Sequence, residues 1–187
     1  LHDALPISKS LARRSAQTAL HQITHAMLRW MAPFLSFTAE EAWTTFGKSE
    51  SIFLETFTDL GASNAALMDK WHAVQQVREI ANKEIENKRT AGLVGASLQA
   101  ELVIHCDGAA YDALASLGDD LKFVFITSKV ALVKGEGLTV EVKASAATKC
   151  ERCWHYSDDV GHNPAHPTLC GRCDSNLHGE GEVRHCA

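Results

Sequence analysis

Nowhere in the 187 residues does an apolar run approach the roughly 18–20 uninterrupted positions that a bilayer crossing needs, because Lys, Arg, Glu or His breaks each one. A membrane-spanning helix is excluded on that ground and a soluble chain expected. Positive charge is not in surplus either. Eighteen Lys and Arg stand against 23 Asp and Glu, a formal net charge of -5, which excludes a uniformly basic protein that coats nucleic acid but leaves local patches open. There is no initiating Met, and no basic segment followed by an apolar one at the start, so nothing reads as a secretory signal and thiols are expected to stay reduced, as in the cytoplasm. The opening Leu1 to Ser8 (LHDALPIS) has the look of a ragged start, with the expectation that the chain is the C-terminal piece of something longer.

In bulk the composition is that of a globular protein, with 45% apolar and 22% charged residues. The length suits one compact domain or two to three small ones. The first half carries a helical period. From Lys9 to Trp30, Leu20, Ile23 and Met27 recur at three- and four-residue steps, with Ala16 and Leu28 beside them, and the four formal charges Lys9, Arg13, Arg14 and Arg29 are all positive. Such a helix could face an RNA backbone or could merely be solvated. Pro33 should end it, and Thr38 with Glu41 has the form of a capping box that opens a second helix running to about Gly47. Leu67, Trp71, Val74, Val77, Ala81 and Ile85 mark a third helix, from about Asn64 to Arg89, which Gly92 and Gly95 terminate.

Beyond those glycines the period becomes two. Leu98, Ala100, Leu102 and Ile104 alternate with Gln99, Glu101, Val103 and His105, which predicts a strand buried on one face. Tyr111 to Lys122 is expected to be a short helix, Phe123 to Thr127 an apolar strand, and Leu138 to Lys143 another alternating strand, together a small α+β unit. After Ala147 the chain turns to Cys, His, Gly, Asn and Pro, too poor in aliphatic residues to bury a core of its own.

Cysteine spacing supplies what the tail lacks. Cys150-x-x-Cys153 and Cys170-x-x-Cys173, sixteen residues apart, offer four thiolates in the pattern of a tetrahedral structural zinc site. Two residues between paired cysteines let both sulfurs turn toward one ion, and binding of about 10–16 kcal/mol is enough to fold so small a segment. A pair of disulfides or redox dithiols is the alternative. His155, His162 and His166 lie in the same segment and could replace a sulfur, or could be plain loop histidines. Four sulfurs close the shell and leave no position for an activated water, so the expected metal is structural. Cys106 and Cys186 have no near partner and are expected to be free thiols.

Lys149, Arg152, Trp154, His155, Tyr156, Arg172 and Arg184 surround this site, a mixture of cations and aromatic rings able to contact phosphates and stack on an unpaired base. From Ala144 to Ala187, however, four Lys and Arg face six Asp and Glu, so the segment is no electrostatic magnet. The aromatics could equally cover the metal while the arginines are solvated.

The run from Leu28 to Trp43 (LRWMAPFLSFTAEEAW) resembles the anticodon-binding helical domain of the class I aminoacyl-tRNA synthetases of the Ile/Val/Leu/Met group. With Val77-Arg78, Asn82-Lys83 and Gly95 to Ala100 it is most similar to the bacterial isoleucyl-tRNA synthetases, and Lys149 to Tyr156, Leu169 to Cys173 and Asn176 to Arg184 resemble their C-terminal zinc finger. The likeness is read over roughly Leu11 to Ala187, with Leu1 to Ser8 expected to lie outside the family. It implies a mainly α fold: an anticodon-binding helical bundle over 9–92, a small α+β unit over 93–147 and a four-cysteine zinc finger over 148–187. It implies one structural Zn²⁺ and binding of isoleucine tRNA, with Arg152, Trp154, His155, Tyr156 and Arg172 as candidate contacts.

The resemblance further implies the reaction of the intact ligase, ATP-dependent attachment of isoleucine to its tRNA, in a cytoplasmic monomer whose N-terminal catalytic and editing domains are the chain's missing partners. The nucleotide-binding signatures His-x-Gly-His and Lys-Met-Ser-Lys-Ser are absent from these residues, so no catalytic residue is assigned and the piece alone is expected to be inactive. Two other readings stand beside it. One is the C-terminal part of a zinc-finger DNA-repair glycosylase, which would need a helix–two-turn–helix element before the finger. The other is a zinc-stabilised module that binds only protein. The link from Thr127 to Leu138 is short for the family.

Overall fold

The structure is a computed structural model that describes residues 11–182; Leu1 to Ser8, Lys9, Arg184 and Cys186 lie outside that range. Its contacts divide the chain into two units, with the boundary between Ser63 and Asn64.

The first unit is built on α1 (Leu11–Met31) and α2 (Ser36–Thr45). The turn between them stays hydrogen-bonded, Leu35 N–H to Met31 O at 2.8 Å and Ala39 N–H to Leu35 O at 2.8 Å. Those bonds start α2 two residues earlier than expected. Thr38 therefore lies inside the helix, the residue at its cap is Leu35, and no side chain caps it; the capping box does not form because Thr38 is no longer at the cap position. Leu28, Ala32, Ala39, Trp43 and Ile52 make the core, four of the five from the Leu28–Trp43 run. Trp43 Nε1–H donates to Glu50 O at 3.0 Å, and the Glu40 carboxylate accepts from Ile52 N–H at 2.9 Å at the start of a short 3-10 turn, Ile52–Leu54. The expected apolar stripe of α1 is not buried: Leu20, Ile23 and Met27 are 40, 51 and 48% exposed, while Ala26 and Leu28 turn inward.

The second unit begins with α3 (Ala65–Thr90), opened by Asn64, whose side chain accepts from Leu67 N–H at 3.0 Å. There follow β1 (Ala100–Cys106), α4 (Gly108–Ala115), α5 (Leu121–Phe125), β2 (Lys129–Lys134) and β3 (Thr139–Ala144). The sheet order is β2-β1-β3, with β1 parallel to β2 (Leu102 beside Val130) and antiparallel to β3 (Leu102 beside Val142). Alternation in β1 sends Ala100, Leu102, Ile104 and Cys106 to the buried face. They meet Val74, Val77, Ala81 and Ile85 of α3, Leu114 of α4 and Phe125 of α5, each large side chain contributing about 1.5–3 kcal/mol by leaving water. Thus α3, which the sequence groups with the first two helices, shares its core with the sheet.

The apolar segment Phe123–Thr127 is not a strand. Leu121 and Phe125, one helical turn apart, are both buried in α5, which ends in Ile126 at φ 55. The Arg78 guanidinium donates from Nε to Val124 O at 3.0 Å and satisfies a carbonyl at that helix end. The strand of this region is β2, so the Thr127–Leu138 link holds a parallel edge strand reached by the α4–α5 crossover. Cys106 is a buried free thiol whose pKa burial raises, as a structural cysteine's should be.

The tail belongs to the second unit. It contains a two-stranded ribbon, β4 (Thr148–Lys149) against β5 (Tyr156–Ser157), and α6 (Gly171–His178). Its core is three buried cysteines, packed by Cys153, Val160 and Leu169. No helix among the described residues is long and apolar enough to cross a membrane.

Candidate metal centre and nucleic-acid interface

The turn that carries Cys150 and Cys153 is closed by Trp154 N–H donating to Cys150 O at 2.9 Å, and Cys150 N–H donates across the ribbon to His155 O at 2.9 Å. Cys170 caps α6, and Cys173 sits in its first turn. The four sulfurs lie within 4.8 Å of one another, and Cys153 Sγ and Cys170 Sγ are 3.7 Å apart. Bonds of about 2.3 Å in a tetrahedron set an edge of about 3.8 Å, so this edge already has the dimension a zinc ion requires. Cys170 N–H donates to Cys150 Sγ at 3.4 Å, the kind of support thiolates take when they carry charge.

Proton affinities in the cluster split. The Cys170 thiol donates to Cys153, which holds the Cys153 thiol well below its usual range and pushes that of Cys170 up; burial pushes Cys173 up to about 11. Four such groups oppose one another's ionisation. A divalent cation between them removes that opposition, and the donor set fits one Zn²⁺, which when bound supplies structural cross-linking. His155 stays outside the set, its Nδ1 3.2 Å from Cys153 O, and His162 and His166 are not among the four grouped ligands either.

The structure separates the candidate RNA contacts into two kinds. Arg152 donates from Nη1 to Cys173 Sγ at 3.5 Å. Arg172 is only 15% exposed at its side chain, with its guanidinium 4.9 Å from the Phe123 ring centre and 3.7 Å from the Glu182 carboxylate. Both Arg172 and His155 hydrogen-bond toward Cys153, and the His155 ring meets Phe123 edge-on. Three of the five candidates are thus engaged with the metal turn itself. Tyr156 is half-buried, and its N–H donates to Ser128 Oγ at 2.6 Å, which ties the tail to the sheet.

Trp154 is different. It is 60% exposed, takes a left-handed backbone at φ 65, and lies 5.3 Å from the Lys149 ammonium. A non-glycine residue reaches that conformation only where its surroundings impose it, here the closed Cys150–Cys153 turn. Most of the ring is open to solvent.

In the first unit a cleft is lined by Arg29, Ala32, Pro33, Ile52, Phe53, Glu55, Thr56 and Phe57. Arg29 donates to Thr58 Oγ1 at 2.7 Å, pairs with Glu55 and lies 5.5 Å from the Trp43 ring. Phe53 and Phe57 are exposed there, and sequence reasoning missed them. The only available signal was their position in an aromatic, turn-rich stretch without a period.

Residues 2–104, more than half of the chain, match the family described as the anticodon-binding domain of tRNA ligase, so the match takes in most of the Leu1–Ser8 opening that was expected to lie outside it. Residues 148–176 match the zinc finger found in FPG and IleRS. The chain is 56% identical over 184 residues to the isoleucine–tRNA ligase of Burkholderia cenocepacia, covering 95% of this chain and 20% of that protein. It is 57% identical over the same length and shares to the isoleucine–tRNA ligases of Paraburkholderia xenovorans and Paraburkholderia phytofirmans. It spans about a fifth of the length of these curated relatives.

Proposed function

The chain belongs to the family of the anticodon-binding domain of tRNA ligase, and on that premise we propose that it is the tRNA-holding part of an isoleucine–tRNA ligase. In this reading the helical first unit takes the anticodon end of isoleucine tRNA, with the exposed Phe53 and Phe57 beside Arg29 as its stacking surface. The zinc-bearing tail adds a second hold on the same RNA.

The observation that carries the tail's role is Trp154: an indole 60% exposed, fixed on the metal turn, with an ammonium 5.3 Å from its ring. Such a pair offers an unpaired base a stacking face and its phosphate a cation. Lys149 and Trp154 make the contact; Arg152, His155 and Arg172 are positioning residues, which hold the sulfurs and through them the turn. Tyr156 anchors the ribbon to Ser128.

In the whole ligase these residues would bind and orient the tRNA while ATP-dependent activation and attachment of isoleucine, and rejection of valine, proceed in the other domains of a cytoplasmic monomer. The family of the finger is shared with FPG proteins, yet the anticodon-binding match over 2–104 favours RNA over duplex DNA.

Filter binding of the purified 187-residue chain to isoleucine tRNA, to the same tRNA with a changed anticodon, and to duplex DNA tests the proposal. The cognate tRNA should bind most tightly. Equal affinity for all three would contradict the reading, and a preference for the duplex would favour the glycosylase alternative.

A further inference from the structure

A second group of ligand-type side chains lies beside the four cysteines. Asp174 and His178 are four residues apart on α6 and therefore share a face. His166 reaches them from the preceding loop, and one ligand atom from each of the three residues lies within 4.8 Å of the others. His166 Nε2 is 3.9 Å from Asp174 Oδ1, and the two imidazole rings are stacked, 3.7 Å between centres and 7° from parallel.

The loop that brings His166 there is itself fixed. His166 N–H donates to Asn163 O at 3.0 Å, and Leu169 N–H donates to His166 O at 3.1 Å. The Asn163 amide donates to Asp174 Oδ2 at 2.9 Å and so orients the carboxylate. Asp174 Oδ1 is buried and has no hydrogen-bond partner. A buried carboxylate oxygen without a partner is costly, and two imidazoles stacked at its side supply nitrogen lone pairs in the same region.

We propose that His166, Asp174 and His178 bind a second divalent transition-metal ion. Two imidazoles and one carboxylate suit borderline cations such as Zn²⁺, Co²⁺ or Ni²⁺ better than Mg²⁺ or Ca²⁺, which prefer all-oxygen sets. The site is more open than the cysteine centre, since His178 is exposed and three protein ligands leave a coordination position for water. It binds more weakly than four thiolates do. Bonds of about 2.0–2.1 Å need a ligand separation near 3.3 Å, and stacked rings hold their lone pairs in parallel planes, so binding turns one imidazole out of the stack, draws His166 and Asp174 together and pins the 162–169 loop to α6.

Zinc titrated calorimetrically into the chain already holding one equivalent, under a non-chelating reductant, tests this. A second equivalent should bind. His178→Ala and Asp174→Asn should each weaken it at least tenfold, while an exposed neighbour, His162→Ala, leaves it unchanged. Elemental analysis of each variant should still find the first zinc, which shows the tail folded; should Asp174→Asn lose it, the exposed His178→Ala decides the matter alone. Cobalt added as the second ion should bring no new thiolate-to-metal absorption. Saturation at one ion per chain, or a second equivalent that survives His178→Ala, would overturn the assignment.

Discussion

The sheet region and the tail lie in one unit and share Ser128, yet they are held by different means. The sheet region buries Val74, Val77, Leu102, Ile104, Leu114 and Phe125, a continuous aliphatic and aromatic core. The tail buries three cysteines and packs them with little more than Val160 and Leu169. In the first region stability is spread over many side chains, each worth a few kcal/mol. In the second it is concentrated in one ion. The concentration has a use: a metal-closed turn imposes the left-handed backbone that presents Trp154 outward, which a loosely packed loop would not do.

The sharpest way to break this contrast is to remove the metal. Chelation, or Cys170→Ser, should abolish a binding free energy of about 10–16 kcal/mol and expose residues 148–178 to limited proteolysis, with the sheet region still resistant. Cleavage spreading at once through both regions would show that they fold as one. The converse is Phe125→Ala, expected to cost about 3–5 kcal/mol of unfolding free energy in the sheet region while elemental analysis still finds zinc. Smaller again, Trp154→Ala should weaken binding of isoleucine tRNA by about 1–3 kcal/mol and leave zinc content and melting temperature in place. Unchanged affinity with a less stable tail would make the ring packing material.

The first unit extends the comparison, since it rests on Trp43 and Ile52 without a metal-type cluster of its own among the described residues. Burial, with Arg29, Lys48 and His21 nearby, lowers the His25 pKa below 6.5. The neutral ring is the form the folded state prefers, so its contribution is complete above pH 6.5 and is lost as pH falls through the lower folded value. Melting curves across that window should show a modest acid loss that His25→Gln reduces; identical curves would remove His25 from the account.

What could be read beforehand follows the range of the interactions. The cysteine centre was legible because paired ligands are local in sequence, and α3 because four buried positions keep a helical period. The strand β2 was missed: its alternation of Val130 and Leu132 is brief, and the more apolar Phe123–Thr127 drew the assignment although Leu121 and Phe125 have helical spacing. The exposed Leu20–Met27 stripe shows that periodicity marks a face without saying that its own unit buries it. Of the His166 group, only His166 was singled out from the sequence; the Asp174–His178 face of α6 that the loop brings it to was not.

Amide hydrogen exchange on the chelated chain, repeated after one equivalent of zinc, tests the central claim most directly. The amides of Trp154 and Cys170, which donate to Cys150 O and Cys150 Sγ, should gain protection only with zinc, while Leu102 and Ile104 in β1 stay protected throughout. Equal protection of Trp154 and Cys170 in both states would contradict it.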